Sequence, residues 1–191
     1  MITNKSKLER VLLDEITKIG NLFDTVSISY CVLGGYALLA NGIRSKDLDC
    51  MIITEKEKKD KILSMIFKLN YTVLKLTPDK MLIKKETAGG DMYIEVLFGE
   101  TEGKTFKLNL DNREIVYPKK IFNNERTEVW GFYRKGAGSK GYFRPASLEE
   151  MYFFKLNSES DKDIADLEMI KGSGKLNVDR LLKLFKANKL I

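Results

Sequence analysis

The stretch that most constrains this chain is residues 31–53, CVLGGYALLANGIRSKDLDCMII. A β-rich apolar run (27–33) meets the pair Gly34-Gly35, and residues 36–40 then read as a short helix. A polar loop leads to a second apolar run that opens on Asp47-Leu48-Asp49. The pattern predicts strand, tight turn, short helix, loop and strand over 47–53. Alternate strand residues share a face, so Asp47 and Asp49 project together while Leu48 and Cys50 turn to the core. Their Cα atoms would lie roughly 6.5–7 Å apart, a spacing that lets two carboxylates converge on a divalent cation. Two like charges held this close need cations to neutralise them, and Mg²⁺ or Mn²⁺ with a triphosphate does so. Gly34 and Gly35 let backbone approach a ligand, and their N–H groups at a helix start suit phosphate oxygens. Arg44 and Ser45 stand where they can touch phosphates or pin the loop.

Around this block the chain reads as α/β. Residues 5–22 carry Leu8, Val11, Leu12, Ile16 and Ile19 at helical spacing. Thr54 to Glu57 has the form of a capping box opening a helix with Ile62, Met65, Ile66 and Leu69 on its apolar face. Strand patterns follow at 71–76, 80–85, 91–98, 106–108, 114–117 and 128–133, and residues 136–141 read as a glycine-rich loop. The last third turns helical. Ser147 opens a second capping box, and residues 161–171 form a helix stopped by Gly172. Asn177 caps a final helix with Val178, Leu181, Leu182 and Phe185 facing inward. The expected division is an α/β unit over 1–144 and a small helical region over 145–191.

Composition narrows the chemistry. The chain of 191 residues contains no histidine, so serine–histidine and cysteine–histidine hydrolases and histidine metal sites are excluded. Carboxylates, lysines, hydroxyls or an oxygen-bound metal must do the work. The net charge of +6 favours phosphate-bearing partners, and residues 171–191 carry Lys171, Lys175, Arg180, Lys183, Lys186 and Lys189 against Asp179. Cys31 and Cys50 lie in apolar runs without a CxxC pair, as small buried hydrophobes in a reducing cytoplasm. No apolar leader and no run of membrane-spanning length is read, so a cytoplasmic protein without membrane contact is expected.

The block Gly34-Gly35-Tyr36-Ala37-Leu38 with Arg44-Ser45-Lys46-Asp47-Leu48-Asp49 resembles the polymerase-β-type nucleotidyltransferase superfamily. It is most similar to small bacterial members such as abortive-infection type IV toxins and lincosamide-type resistance enzymes. The resemblance implies a mixed sheet flanked by helices and transfer of a nucleoside monophosphate from an NTP to an acceptor hydroxyl on a tRNA, a small molecule or a protein. It also implies Mg²⁺ (or Mn²⁺) on Asp47, Asp49 and a third carboxylate, and, for the toxin relatives, a cognate antitoxin. The third carboxylate falls on DMYIEVLF (91–98), where Asp91, Tyr93, Glu95 and Leu97 share one face. Glu95 fits the family pattern with Glu in place of Asp, and Asp91 at the strand edge is the alternative. Residues 145–149 with Lys155 and 161–167 (DKDIADL) resemble a second family segment. By that resemblance Lys155 reaches the triphosphate, Lys162 stands where many relatives carry arginine, and Asp163 and Asp166 orient such basic groups or the helix packing.

Two other readings stay open. The Glu95 replacement and the altered basic motif at Lys162 also suit a nucleotide-binding module with weak or no turnover. Trp130, Phe132, Tyr133, Tyr142 and Phe143 beside Lys135, Lys140 and Arg144 suit RNA contact, or else a strand pair packing aromatics into a core.

Overall fold

The computed structural model describes residues 4–43, 45, 48–88, 90–110, 113–131, 139–156 and 160–191, with side chains from residue 10 onward except at 130, 131 and 139. Arg44, Asp47, Lys135 and the aromatics Phe132 and Tyr133 lie outside the described residues, as does the Trp130 side chain.

The fold is a mixed α/β sheet with helices on both faces. Its central path runs β1 (Tyr30–Leu33), β2 (Met51–Glu55), β5 (Gly90–Glu102), β4 (Lys80–Thr87) and β3 (Thr72–Leu76). β5 is long enough to leave this path and pair with β6 (Thr105–Leu110), which pairs with β7 (Arg113–Pro118). Among the named strands of the described residues the pairings are antiparallel except β2 with β5, where Met51 faces Glu95 and Ile53 faces Leu97. Every residue of β1 is buried, which its unbroken apolar sequence requires of a strand covered on two faces.

Alternation divides the core in two. Val32, Ile52, Ile94, Val96 and Phe98 point to one face. There α1 (Asn4–Thr25) lays down Leu12, Leu13, Ile16, Ile19 and Phe23, the stripe that its period dictates. The helix α3 (Lys59–Lys68) adds Ile62, Met65 and Ile66, and β8 (Thr127–Gly131) and β9 (Ser139–Phe143) add Val129 and Phe143. Cys31, Leu33, Ile53 and Leu97 point to the other face, against α2 (Gly35–Ala40), β6, β7 and the helices α4 (Leu148–Lys155), α5 (Asp161–Gly172) and α6 (Val178–Ala187). The link into α4 is an extension of the sheet. Val32 N donates to Arg144 O at 2.8 Å and Ala146 N donates to Val32 O at 2.9 Å. Ser147 then caps α4 in a reciprocal box with Glu150, as its sequence predicts. No helix among the described residues is long and apolar enough to cross a membrane.

Several local expectations need correction. β2 begins at Met51, and residues 48–50 are irregular because Asp49 turns back to the diglycine. Thr54 is no cap: it sits in β2 and its hydroxyl donates to Ser29 O at 2.7 Å, so a 3-10 turn over Lys56–Lys58 opens α3 instead. Gly172 remains helical, and Gly174, at φ 66°, takes the left-handed position after α5. Residues 139–141 belong to β9, where a side chain on Gly141 would strike Leu13. In α6 the inward face is Leu181, Leu184 and Phe185, while Val178 and Leu182 are exposed. The stripe keeps Leu181 and Phe185 from the expected face and takes Leu184 in place of Val178 and Leu182.

A buried charge, Glu15, lies against the first core. Glu15 of α1 accepts from Lys18 at 2.6 Å, Lys85 of β4 at 2.8 Å and the Tyr71 hydroxyl at 2.9 Å. Burial alone would raise its carboxyl, but these donors hold it below the ordinary glutamate value. The folded chain therefore releases this proton more readily than the unfolded chain, so the contribution is complete above the unfolded value near 4.5 and vanishes as pH falls through the folded one. Glu15→Gln should cost about 2–3 kcal/mol at pH 7. Urea unfolding at pH 7 and near pH 3.5 checks this, since the gap between variant and wild type should shrink in acid.

Candidate active site

Where β1 ends and the chain approaches β2, the diglycine turn and Asp49 interlock. Gly34 sits at φ 87° and ψ −165°, a region open in practice to glycine alone. A Cβ there would lie 2.8 Å from Asp49 O and 3.0 Å from Asp49 Oδ1. The next residue, Gly35, donates its N–H to Asp49 Oδ1 at 2.6 Å. The diglycine thus brings backbone against a carboxylate, and the Gly35 donor expected to face phosphate is committed to Asp49. Cys50 faces the other way, into the first core, as alternation requires. Burial, and secondarily Asp49, push its thiol well above the ordinary value, so it offers no thiolate.

Glu95 enters from β5 on the face that carries Met51 and Leu97. Glu95 N donates to Cys50 O at 3.3 Å, which extends the parallel ladder to the residue beside Asp49. Asp49 thus precedes the start of β2, and Glu95 stands on β5 at the register of that start. Asp91, the alternative, is exposed and pairs with Lys84 at 2.8 Å at the far end of the β4–β5 ladder. Glu95 itself pairs with Lys80 of β4, a diagonal cross-strand neighbour. Lys80 was not singled out from sequence. The signal was present in KMLIK (80–84), where Met81 and Ile83 are buried and Lys80, Leu82 and Lys84 share the opposite face.

The first turns of α5 close the site. Lys162 Nζ lies 3.0 Å from Asp49 Oδ2, with both side chains a little over one-third exposed (36% and 37%). Lys155 is placed differently from the expectation of a phosphate contact. It is buried to 1% exposure, pairs with Asp163, and lies 2.8 Å from Asp166 Oδ2. The Ser45 hydroxyl donates to Asp166 Oδ1 at 3.0 Å. Burial alone would lower the Lys155 ammonium, but the two carboxylates hold it above the ordinary lysine value and keep it charged. Ser45 thus pins the α2–β2 loop to α5, and Lys155 fixes α5 to α4. Asp163 serves the buried pair.

The residues present fit a hard divalent cation. Asp49, two residues before β2, and Glu95 on β5 carry carboxylate oxygens, the donor type that Mg²⁺ and Mn²⁺ take. Lys162 Nζ on Asp49 Oδ2 is a cation standing in at that oxygen. Among the described residues no group of three acidic or thiol side chains gathers, and Asp47 is not among them.

The turn and the buried pair give distinct expectations. Gly34→Ala should cost about 1–3 kcal/mol through backbone strain and dislodge Asp49. Lys155→Met leaves buried carboxylates without their counter-ion and should cost about 3–5 kcal/mol. Thermal and urea unfolding measure both, and a variant as stable as wild type would contradict the corresponding contact.

No family model matches the sequence, and no curated protein matches it. Solved structures do match by fold. The lincosamide antibiotic adenylyltransferase LnuA, with lincomycin bound, aligns over 83% of this chain and 95% of its own at a TM-score of 0.56 and 17% identity. ANT(2″)-Ia in complex with adenylyl-2″-tobramycin aligns over 94% of this chain and 98% of its own, at 0.56 and 15%. The solution structure of the antibiotic-resistance factor ANT(2″)-Ia covers 100% and 94%, at 0.55 and 15%. The chain has the polymerase-β-type nucleotidyltransferase-like fold.

Proposed function

We infer that this protein is a metal-dependent nucleotidyltransferase, moving a nucleoside monophosphate from an NTP to the hydroxyl of an acceptor. The observation that carries the reading is Asp49, held by the Gly35 N–H beside a turn only glycine can make, with Glu95 on the neighbouring strand. The family pattern places Asp47 two residues before it. Asp47, Asp49 and Glu95 would hold Mg²⁺ or Mn²⁺, which supplies charge neutralisation on the triphosphate and a lowered pKa for the attacking hydroxyl. Lys162 and Arg44 would bind phosphate oxygens. Ser45, Asp163, Asp166 and Lys155 would act by fixing the loop and α5.

The acceptor oxygen bonds to the α-phosphorus as the bond to pyrophosphate breaks, and its proton passes to Glu95. Rate would come from positioning and electrostatics more than from covalent chemistry. The net charge of +6 suits the triphosphate. A small hydroxylated molecule is the acceptor we favour, because the fold neighbours were solved with lincomycin and with adenylyl-2″-tobramycin. A tRNA end and a protein hydroxyl are the competing acceptors.

One observation favours a second reading. Asp49 and Glu95 are each neutralised by a lysine. A nucleotide-binding module without turnover would have the same pairs. Incubation with each labelled NTP, Mg²⁺ or Mn²⁺, and panels of small hydroxylated molecules, RNA and cell protein separates the readings. The transferase should label one panel, and Asp49→Asn or Glu95→Gln should reduce labelling about 10²–10⁴-fold. Nucleotide binding by calorimetry with no labelled product in any panel would favour the module.

A further inference from the structure

The sheet face that carries Glu95 is covered only in part. Directly opposed residues on neighbouring strands share a face, so Met51, Glu95, Leu82 and Lys75 form one row across β2, β5, β4 and β3. Tyr93 and Lys84 stand in the adjoining row. The reverse face of these strands is closed by the first core, through Met81, Ile83, Ile94 and Val96. On the Glu95 face the second core takes Ile53 and Leu97, with Met51 at its margin. Leu82 is half-buried, the Tyr93 ring is 49% exposed, and among the described residues neither packs into either core. Leu82 is the direct cross-strand neighbour of Glu95. Tyr93 precedes Glu95 by two residues, roughly 6.5–7 Å along the strand, a span that one sugar or aryl ring fills.

The charges beside this shelf are matched. Lys80 pairs with Glu95, and Lys84 lies 2.8 Å from Asp91 and 3.4 Å from Glu86. A polycationic acceptor finds no surplus of carboxylate there, and a nucleic-acid strand finds Lys80 and Lys84 already committed to acids. We propose that the β5–β4 face beside Glu95 is the acceptor shelf, and that it takes an uncharged hydroxylated ring compound laid on Tyr93 and Leu82 with its hydroxyl toward Glu95. The inference rests on the nucleotidyltransferase reading and names the acceptor class for it. The shelf is continuous with Glu95, so a ring lying on it brings a substituent to the carboxylate that receives the acceptor proton. Apolar and ring contact supplies the affinity.

Fluorine NMR of the full chain carrying fluorotyrosine tests this, with the Tyr93 signal identified by its loss in Tyr93→Phe. Mg²⁺ and a non-hydrolysable NTP analogue are present, and the probes are para-nitrophenyl hexosides, tobramycin and a short RNA with a free terminal hydroxyl. A hexoside should shift the Tyr93 signal saturably, while tobramycin and the RNA leave it in place. Leu82→Ser and Tyr93→Ser should each weaken binding of that hexoside about five- to tenfold by calorimetry, with binding of the NTP analogue as in wild type. Circular dichroism confirms that each variant is folded. If the analogue binds and no hexoside moves the Tyr93 signal, or tobramycin or the RNA moves it as far, the shelf assignment is wrong and the reading of the site stands. If wild type does not bind the analogue, the nucleotidyltransferase reading is wrong and the shelf falls with it.

Discussion

The Asp49 carboxylate joins three separate parts of the chain. One oxygen takes a backbone N–H from the turn after β1, and the other takes an ammonium from α5. Its own backbone leads into β2, the strand that meets β5. The turn can come this close only because Gly34 lacks a side chain and tolerates its φ of 87°. The end of β1, the start of β2 and the C-terminal helices thus share one anionic point. The candidate chemistry sits there because structure has already gathered charge and backbone at that place.

Behind Asp49 lies a second charged cluster with a different character. Lys155 and Asp166 are almost fully enclosed, at 1% and 2% exposure. Burying ions is costly, and well-packed apolar side chains would often be as stable. What the pair supplies is a definite relation among α4, α5 and the loop at Ser45, because each oxygen of Asp166 has its own partner. The positions 162, 163 and 166 sit within about one helical turn, so a single rotation of α5 sets all three contacts together.

Much of this was legible from residue order. The unbroken apolar run of β1, the stripe of α1 and the alternation of β5 each follow from burial on a fixed period. Alternation alone separates Glu95 and Leu97 from Ile94 and Val96, as the structure has them, while the choice of Glu95 as a third carboxylate stands on the resemblance. The misreadings were local patterns overruled by tertiary contacts. Thr54 has the residue type of a cap, yet a carbonyl across the sheet claims its hydroxyl. Val178 and Leu182 look like core residues, yet α6 docks through Leu181, Leu184 and Phe185. The partners of Lys155, Lys162 and Lys80 were not readable as pairs, because sequence gives a lysine no direction. Asp47 and Arg44 lie outside the described residues, so their sequence reading stands on spacing and resemblance.

The parallel pairing of β2 with β5 has a bearing on how the molecule acquires its site. Between these strands the chain runs through α3, β3 and β4, and β5 must then slot in between β4 and β2. The β4–β5 hairpin is local and closes readily, whereas the β2–β5 seam requires a long loop to close. Asp49 and Glu95 stand on opposite sides of that seam. A chain arrested with only its hairpins formed would hold each carboxylate and no site, so competence at this place in the sheet requires a closure that no hairpin supplies.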